Sequence, residues 1–239
     1  MPHRPGRGTA VLPFHVLNRG ARKLALFESD ADYRAFLLCL SQSLARYPLR
    51  LFAYCLMPNH VHLVAMPLQD GQLSAFMKHL LGTHAHRWRR YRKTGGEGAV
   101  YQGRFRAFPI QADAHFYAVC RYVERNALRA GLVERAEDWP WSSLCGLGGF
   151  GQMVDLAEWP IPRPGDWLDR VNEAPPSEEV QAVRAAGQRE RPFGAEPWAM
   201  GTAWALGTPE RVRPLGRPAK KTSGGFFDEK ATRRLFGDG

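Results

Sequence analysis

LRLFAYCLMPNHVHLVAM, residues 49–66, decides the fold. Two apolar runs, 49–57 and His60–Met66, flank Pro58-Asn59. Turn residues between two strand-like runs predict a β-hairpin. Working outward, residues 12–19 read as a short strand ended by Gly20. Asp30–Arg46 has Tyr33, Phe36, Leu37, Leu40 and Leu44 at helical spacing, with Ser29 or Asp30 able to cap its start and Pro48 to stop it. Gln72–Arg92 repeats the pattern through Leu73, Phe76, Met77, Leu80 and Leu81. After a glycine-rich loop at 94–99, residues 100–110 read as extended and 112–130 as a third helix, with Gly131 as its C-cap. The order β-α-β-β-α-β-α predicts an α+β fold, the ferredoxin-like split βαβ, with one additional helix.

Beyond Trp139-Pro140-Trp141-Ser142-Ser143 the composition shifts to Gly, Pro and Trp, with two further helices expected at 178–188 and 196–206. We therefore divide the chain into a domain at 1–145, a linker and small helical extension at 146–209, and a basic tail at 210–239. The tail holds eight Lys or Arg against four acids and is expected to be flexible.

The whole chain of 239 residues carries a formal charge of +10, which predicts an anionic partner: nucleic acid, a membrane surface or an acidic protein. No apolar run approaches the roughly 20 residues of a membrane span, and the basic start lacks the apolar core of a signal peptide. Cys39, Cys55, Cys120 and Cys145 form no C-x-x-C pair, so buried free thiols in a reducing cytoplasm are expected.

His60-Val61-His62 is the sharpest local feature. On a strand its two imidazoles share a face about 7 Å apart and can converge on one metal ion. Two histidines are too few for a closed site, and half-exposed strand histidines are common, so a third ligand is required. Tyr122 and Asn126 lie one helical turn apart, which offers a phenolic nucleophile beside an amide ligand. The alternative is a core tyrosine with a surface or capping asparagine, and composition alone favours it. Tyr117 and Tyr101 are the rival tyrosines. From 87 to 106, seven cations, among them Arg87, Arg90, Arg104 and Arg106, face one acid, Glu97. His84, His86, Trp88 and Tyr91 interleave with them, a pattern suited to phosphates and stacked bases.

Five stretches carry a resemblance: FHVLNRG at 14–20, YCLMPNHVHL at 54–63, YQGRFR at 101–106, YVERNALRAGLV at 122–133 and WPWSS at 139–143. In this order the chain resembles the REP-associated tyrosine transposases, a branch of the single-tyrosine HUH (IS200-like) transposase family. Ala127 stands where family members more often have proline. The resemblance implies a metal-dependent enzyme that cleaves and rejoins single-stranded DNA beside REP-type hairpins. Tyr122 would form a 5′-phosphotyrosine, with Mg²⁺ or Mn²⁺ held by His60, His62 and Asn126. It further implies DNA contacts from Arg19, Arg87, Arg90, Arg104 and Arg106, and minor-groove entry by Arg217 in its Gly-Arg-Pro setting. A cytoplasmic, nucleoid-associated protein is expected, with no membrane partner, no small-molecule cofactor, and a monomer favoured over a dimer. The competing readings are a hairpin-binding protein that has lost chemistry and a metal-dependent hydrolase, which would release a free 5′-phosphate.

Overall fold

The computed structural model describes residues 11–94, 98–146 and 154–212. Strands β1 (Phe14–Arg19), β2 (Arg50–Met57), β3 (His60–Met66) and β4 (Arg106–Pro109) form one antiparallel sheet in the order β2-β3-β1-β4. Helices α1 (Asp30–Arg46) and α2 (Gln72–Arg92) complete the split βαβ pattern, and α3 (Ala114–Glu124) follows β4. The predicted α+β class and element order hold.

Side-chain alternation divides the interior in two. Val16, Val61, Leu63 and Ala65 pack with Phe36, Leu40, Phe76 and Leu80 of α1 and α2. On the other face Val64, Met66 and Phe108 meet Phe116, Val119 and Val123 of α3. A register shift between Leu51 and Ala53 turns both Phe52 and Ala53 toward this second core. Residues separated in the sequence as a linker and extension also supply it: Trp167 and Val171 from α5 (Trp167–Asn172), and Val183 and Ala186 from α6 (Ser177–Arg189). The last long helix among the described residues is α7 (Glu196–Ala205).

At the start of α1, Asp32 Oδ2 accepts from the N–H groups of Glu28 and Ser29 at 2.9 and 3.0 Å, so Ser29 is the cap, in a capping box. Gly20 is required where β1 ends, because a Cβ there would lie 2.2 Å from the Leu24 carbonyl oxygen.

The β2 edge is covered along its length, and the β4 edge is capped at its C-terminal end. Along β2, Leu56 N–H donates to Trp141 O and Ser143 N–H to Tyr54 O, so the 139–143 motif acts as an edge strap. Along β4, Phe193 exchanges backbone bonds with Pro109 and Gln111. Covered edges cannot template pairing with another chain.

Two sequence expectations need correction. The extended stretch 100–110 pairs as a strand only over Arg106–Pro109; before it, Tyr101 is drawn inward by its hydroxyl bond to His84 Nδ1 at 2.7 Å, and Gly103 turns the chain at φ 70°. The third helix is not continuous to 130. It breaks at Arg125 (φ −80°, ψ 0°) and resumes as the single turn α4 (Asn126–Arg129). At the break the Arg125 guanidinium donates to the carbonyls of Val171 and Asn172, which ties α3 to α5. The tail from 213 onward, Arg217 included, lies outside the described residues. No helix among the described residues is long and apolar enough to cross a membrane. All four cysteines are buried thiols outside any disulfide.

Candidate functional site

His60 and His62 point from β3 to the face that carries α3, their ring centroids 4.9 Å apart. His60 Nδ1 lies 2.7 Å from Asn59 Oδ1, an acceptor, so this nitrogen carries the proton and Nε2 keeps a lone pair. His62 Nδ1 lies 2.8 Å from Nε2 of His15, which stacks on it from β1 with centroids 5.0 Å apart. Only the tautomer in which His62 Nδ1–H donates to His15 leaves His62 Nε2 free to ligate. His15 was quoted in the sequence motif but given no role. Strand pairing brings it to the site, since His15 and His62 fall on one face of adjacent strands.

Burial keeps these rings neutral. His15 is lowered to about 3 by desolvation. His60 is lowered to about 4 by burial and by the charges of Arg19 and Arg129. His62 is held well below its ordinary value by burial, then by His15, His60 and Arg129. Neutral imidazole is the form that binds metal.

Tyr122 sits above this pair, its ring 6.0 Å from those of both His15 and His62. Tyr117, the rival, donates to the Pro162 carbonyl, and Tyr101 is buried against His84. Asn126 and Arg129 follow Tyr122 at spacings of four and three, so all three share one side of the helical segment. Asn126 is buried; its Oδ1 accepts from Arg129 at 2.9 Å, and its Nδ2 has no hydrogen-bond partner. The Arg129 guanidinium lies 4.3 Å over the Tyr122 ring. A cavity of about 180 Å³ opens beside them, with Tyr122, Arg125 and Arg129 on one wall and Glu179, Val180 and Val183 on the other.

Among the described residues no three His, Cys, Asp or Glu side chains form a metal-binding group. The donors the sequence reading offers for a metal are the two imidazoles and the Asn126 amide. That donor set fits a divalent ion of the Mn²⁺ type: both Nδ1 atoms are engaged behind the ligating nitrogens, and the buried amide oxygen has a second lone pair.

The arginines separate by face. Arg19 lies directly across from His60 in the β1–β3 register, and Arg106, Leu17 and His62 form a row across three strands, so Arg106 is about 10 Å from His62. Arg104 and Arg106 also line a cleft of about 790 Å³ between β4 and α2. Arg87 and Arg90 are on α2, behind the sheet, and Arg87 is bonded to Cys39 and Gln42 of α1. The stacking role read for the interleaved aromatics is corrected for two of them. His84 is buried against Tyr101, and Trp88 packs on the first core with its N–H given to Leu26 O. Burial at these positions serves the α2–core contact.

Residues 10–126 match the family model described as "Transposase IS200 like". A Haemophilus influenzae protein provisionally named a REP-associated tyrosine transposase is 27% identical over 121 residues, covering 47% of this chain and 69% of the relative. A solved REP-associated tyrosine transposase, bound in its structure to a REP hairpin, superposes with a TM-score of 0.50 at 18% identity, covering 66% of this chain and 92% of that one. The match begins just before β1 and ends at Asn126, spanning both histidines and the tyrosine, and the chain thus carries an IS200-like transposase domain over residues 10–126.

Proposed function

We propose that the chain cleaves and rejoins single-stranded DNA beside REP-type hairpins, with Tyr122 as nucleophile. The observation that supports this is the Tyr122 ring 6.0 Å from that of His62, with Asn126 one helical turn on and bonded to the Arg129 that lies over the same ring. The phenol oxygen of Tyr122 attacks the scissile phosphorus and loses its proton to solvent. The P–O3′ bond breaks, and the departing 3′-oxygen takes up a proton. The product is a 5′-phosphotyrosine and a free 3′-hydroxyl; reversal by another 3′-hydroxyl rejoins the strand without ATP. Mg²⁺ or Mn²⁺, when held by His60, His62 and Asn126, withdraws charge from the phosphate.

Arg19 and Arg106, on the same face as the histidines, suit the reacting strand. Arg87 and Arg90 suit general attraction of DNA to the far side, and Arg104 and Arg217 suit contacts to the flanking duplex. Residues 1–145 would carry the chemistry, 146–209 would cover its helix, and 210–239 would add positive charge. The protein would act as a monomer on chromosomal DNA in the cytoplasm.

The test is incubation of a single-stranded hairpin oligonucleotide with the chain and Mn²⁺. A covalent protein–DNA adduct is expected, and Tyr122→Phe abolishes it. An adduct that survives this change overturns the assignment. Tight hairpin binding with uncut DNA would instead make the chain a binding derivative of the fold.

A further inference from the structure

Arg129 is set apart from its neighbours by what it lacks. Arg121 pairs with Glu179, Arg125 is held by two carbonyls, and Arg163 stacks on Trp159 with Glu124 at 3.9 Å. Arg129 is half-buried and has no carboxylate partner among the described residues; its contacts are the Asn126 oxygen and the face of Tyr122. Among the described residues, the other side chains placed at the centre, His15, His60, His62, Asn126 and Tyr122, include no carboxylate, and Arg19, across from His60, adds a second cation. The one carboxylate on the cavity wall, Glu179, is already committed to Arg121. A half-buried guanidinium beside a site that takes a divalent cation is unfavourable unless an anion arrives with the substrate.

We infer that Arg129 is a catalytic residue that binds the scissile phosphate, the anion serving as the counter-ion the site does not itself contain. The inference rests on the transesterase reading above. One guanidinium nitrogen is engaged by Asn126, which leaves other N–H donors for the non-bridging phosphate oxygens. The planar group stacks on the nucleophile's ring at the same time. Charge that grows on the phosphate oxygens during attack is then met by donors already in place. A lysine cannot combine the stack with a forked contact.

The test uses binding, so that it does not depend on cleavage. In the Tyr122→Phe chain, hairpin oligonucleotides carry a neutral methylphosphonate at one linkage of the single-stranded flank at a time, and affinity is read by fluorescence anisotropy. With Arg129 present, one linkage is expected to lose about tenfold in affinity when neutralised. With Arg129→Gln the same replacement should cost less than about twofold, because the partner charge is gone. Arg129→Lys provides the second variant, and unmodified-hairpin affinity with circular dichroism reports that each chain is folded. Equal losses with and without Arg129 at every linkage overturn the inference. So does coupling at a linkage other than the one the unaltered chain cuts. Coupling at one linkage in a chain that never forms an adduct keeps the phosphate contact and overturns the transesterase reading instead. In the chain with Tyr122 intact, Arg129→Ala should slow adduct formation at saturating DNA by about 10²-fold. Free guanidinium should restore part of that rate, which a purely structural defect would not allow.

Discussion

At the residue scale, the site depends on histidines held neutral by burial. His15 makes no proposed metal contact, yet its ring fixes the tautomer and tilt of His62 through the 2.8 Å bond between them. His15→Ala is expected to weaken Mn²⁺ binding about tenfold, read by the electron paramagnetic resonance of the free ion, while the fold persists. The H-x-H pair was legible because two-residue spacing places both rings on one face. His15 was not, because its partner is 47 positions away and only strand pairing joins them. Burial of histidine also sets a pH limit. His84, lowered to about 4 by desolvation, binds a proton more readily when the chain unfolds. Its contribution is therefore complete above about pH 6.5 and is lost as pH falls toward 4, by up to about 1.4 kcal/mol per unit. Melting temperature should fall across that window, with a shallower slope for His84→Phe.

At the element scale, α3 is fastened along its length, and one fastening is a buried acid. Glu124 accepts from Ser143 Oγ and from the Trp167 indole N–H, each at 2.7 Å, and burial pushes its carboxyl above the ordinary value. It joins the β2 edge strap to α5 through α3. Glu124→Ala would strand two buried donors and cost about 3 kcal/mol, measurable by urea denaturation. The helices α1 and α2 and strand β3 were readable to the residue, since an apolar period with a cap or a turn at its ends leaves few alternatives. The break at Arg125 was not readable. Nothing in 112–130 resembles a helix stop, and the interruption comes with carbonyl acceptors that α5 supplies from 46 residues away. The Trp-Pro-Trp-Ser-Ser run was visible as a motif, but its job as an edge strap depends on which strand ends the sheet.

At the scale of the whole molecule, the sheet separates two cores, and the second is built jointly by α3 and by the segment that follows the family match. The +10 charge read from composition resolves into Arg19 and Arg106 on the histidine face, Arg87 and Arg90 behind it, and a large share outside the described residues. Among the described residues, the ties that hold α3 to its own chain include Tyr117 to the Pro162 carbonyl, Arg121 to Glu179, Arg125 to the carbonyls of Val171 and Asn172, and Glu124 to Ser143 and Trp167. Lending this helix to another copy would break all of them together. On the proposed reading each polypeptide would therefore keep its own Tyr122, and trans-complementation should fail. An equimolar mixture of Tyr122→Phe and His62→Ala chains, each defective in a different half of the centre, is expected to yield no adduct. Recovered activity would mean that tyrosine and histidines can be pooled between subunits.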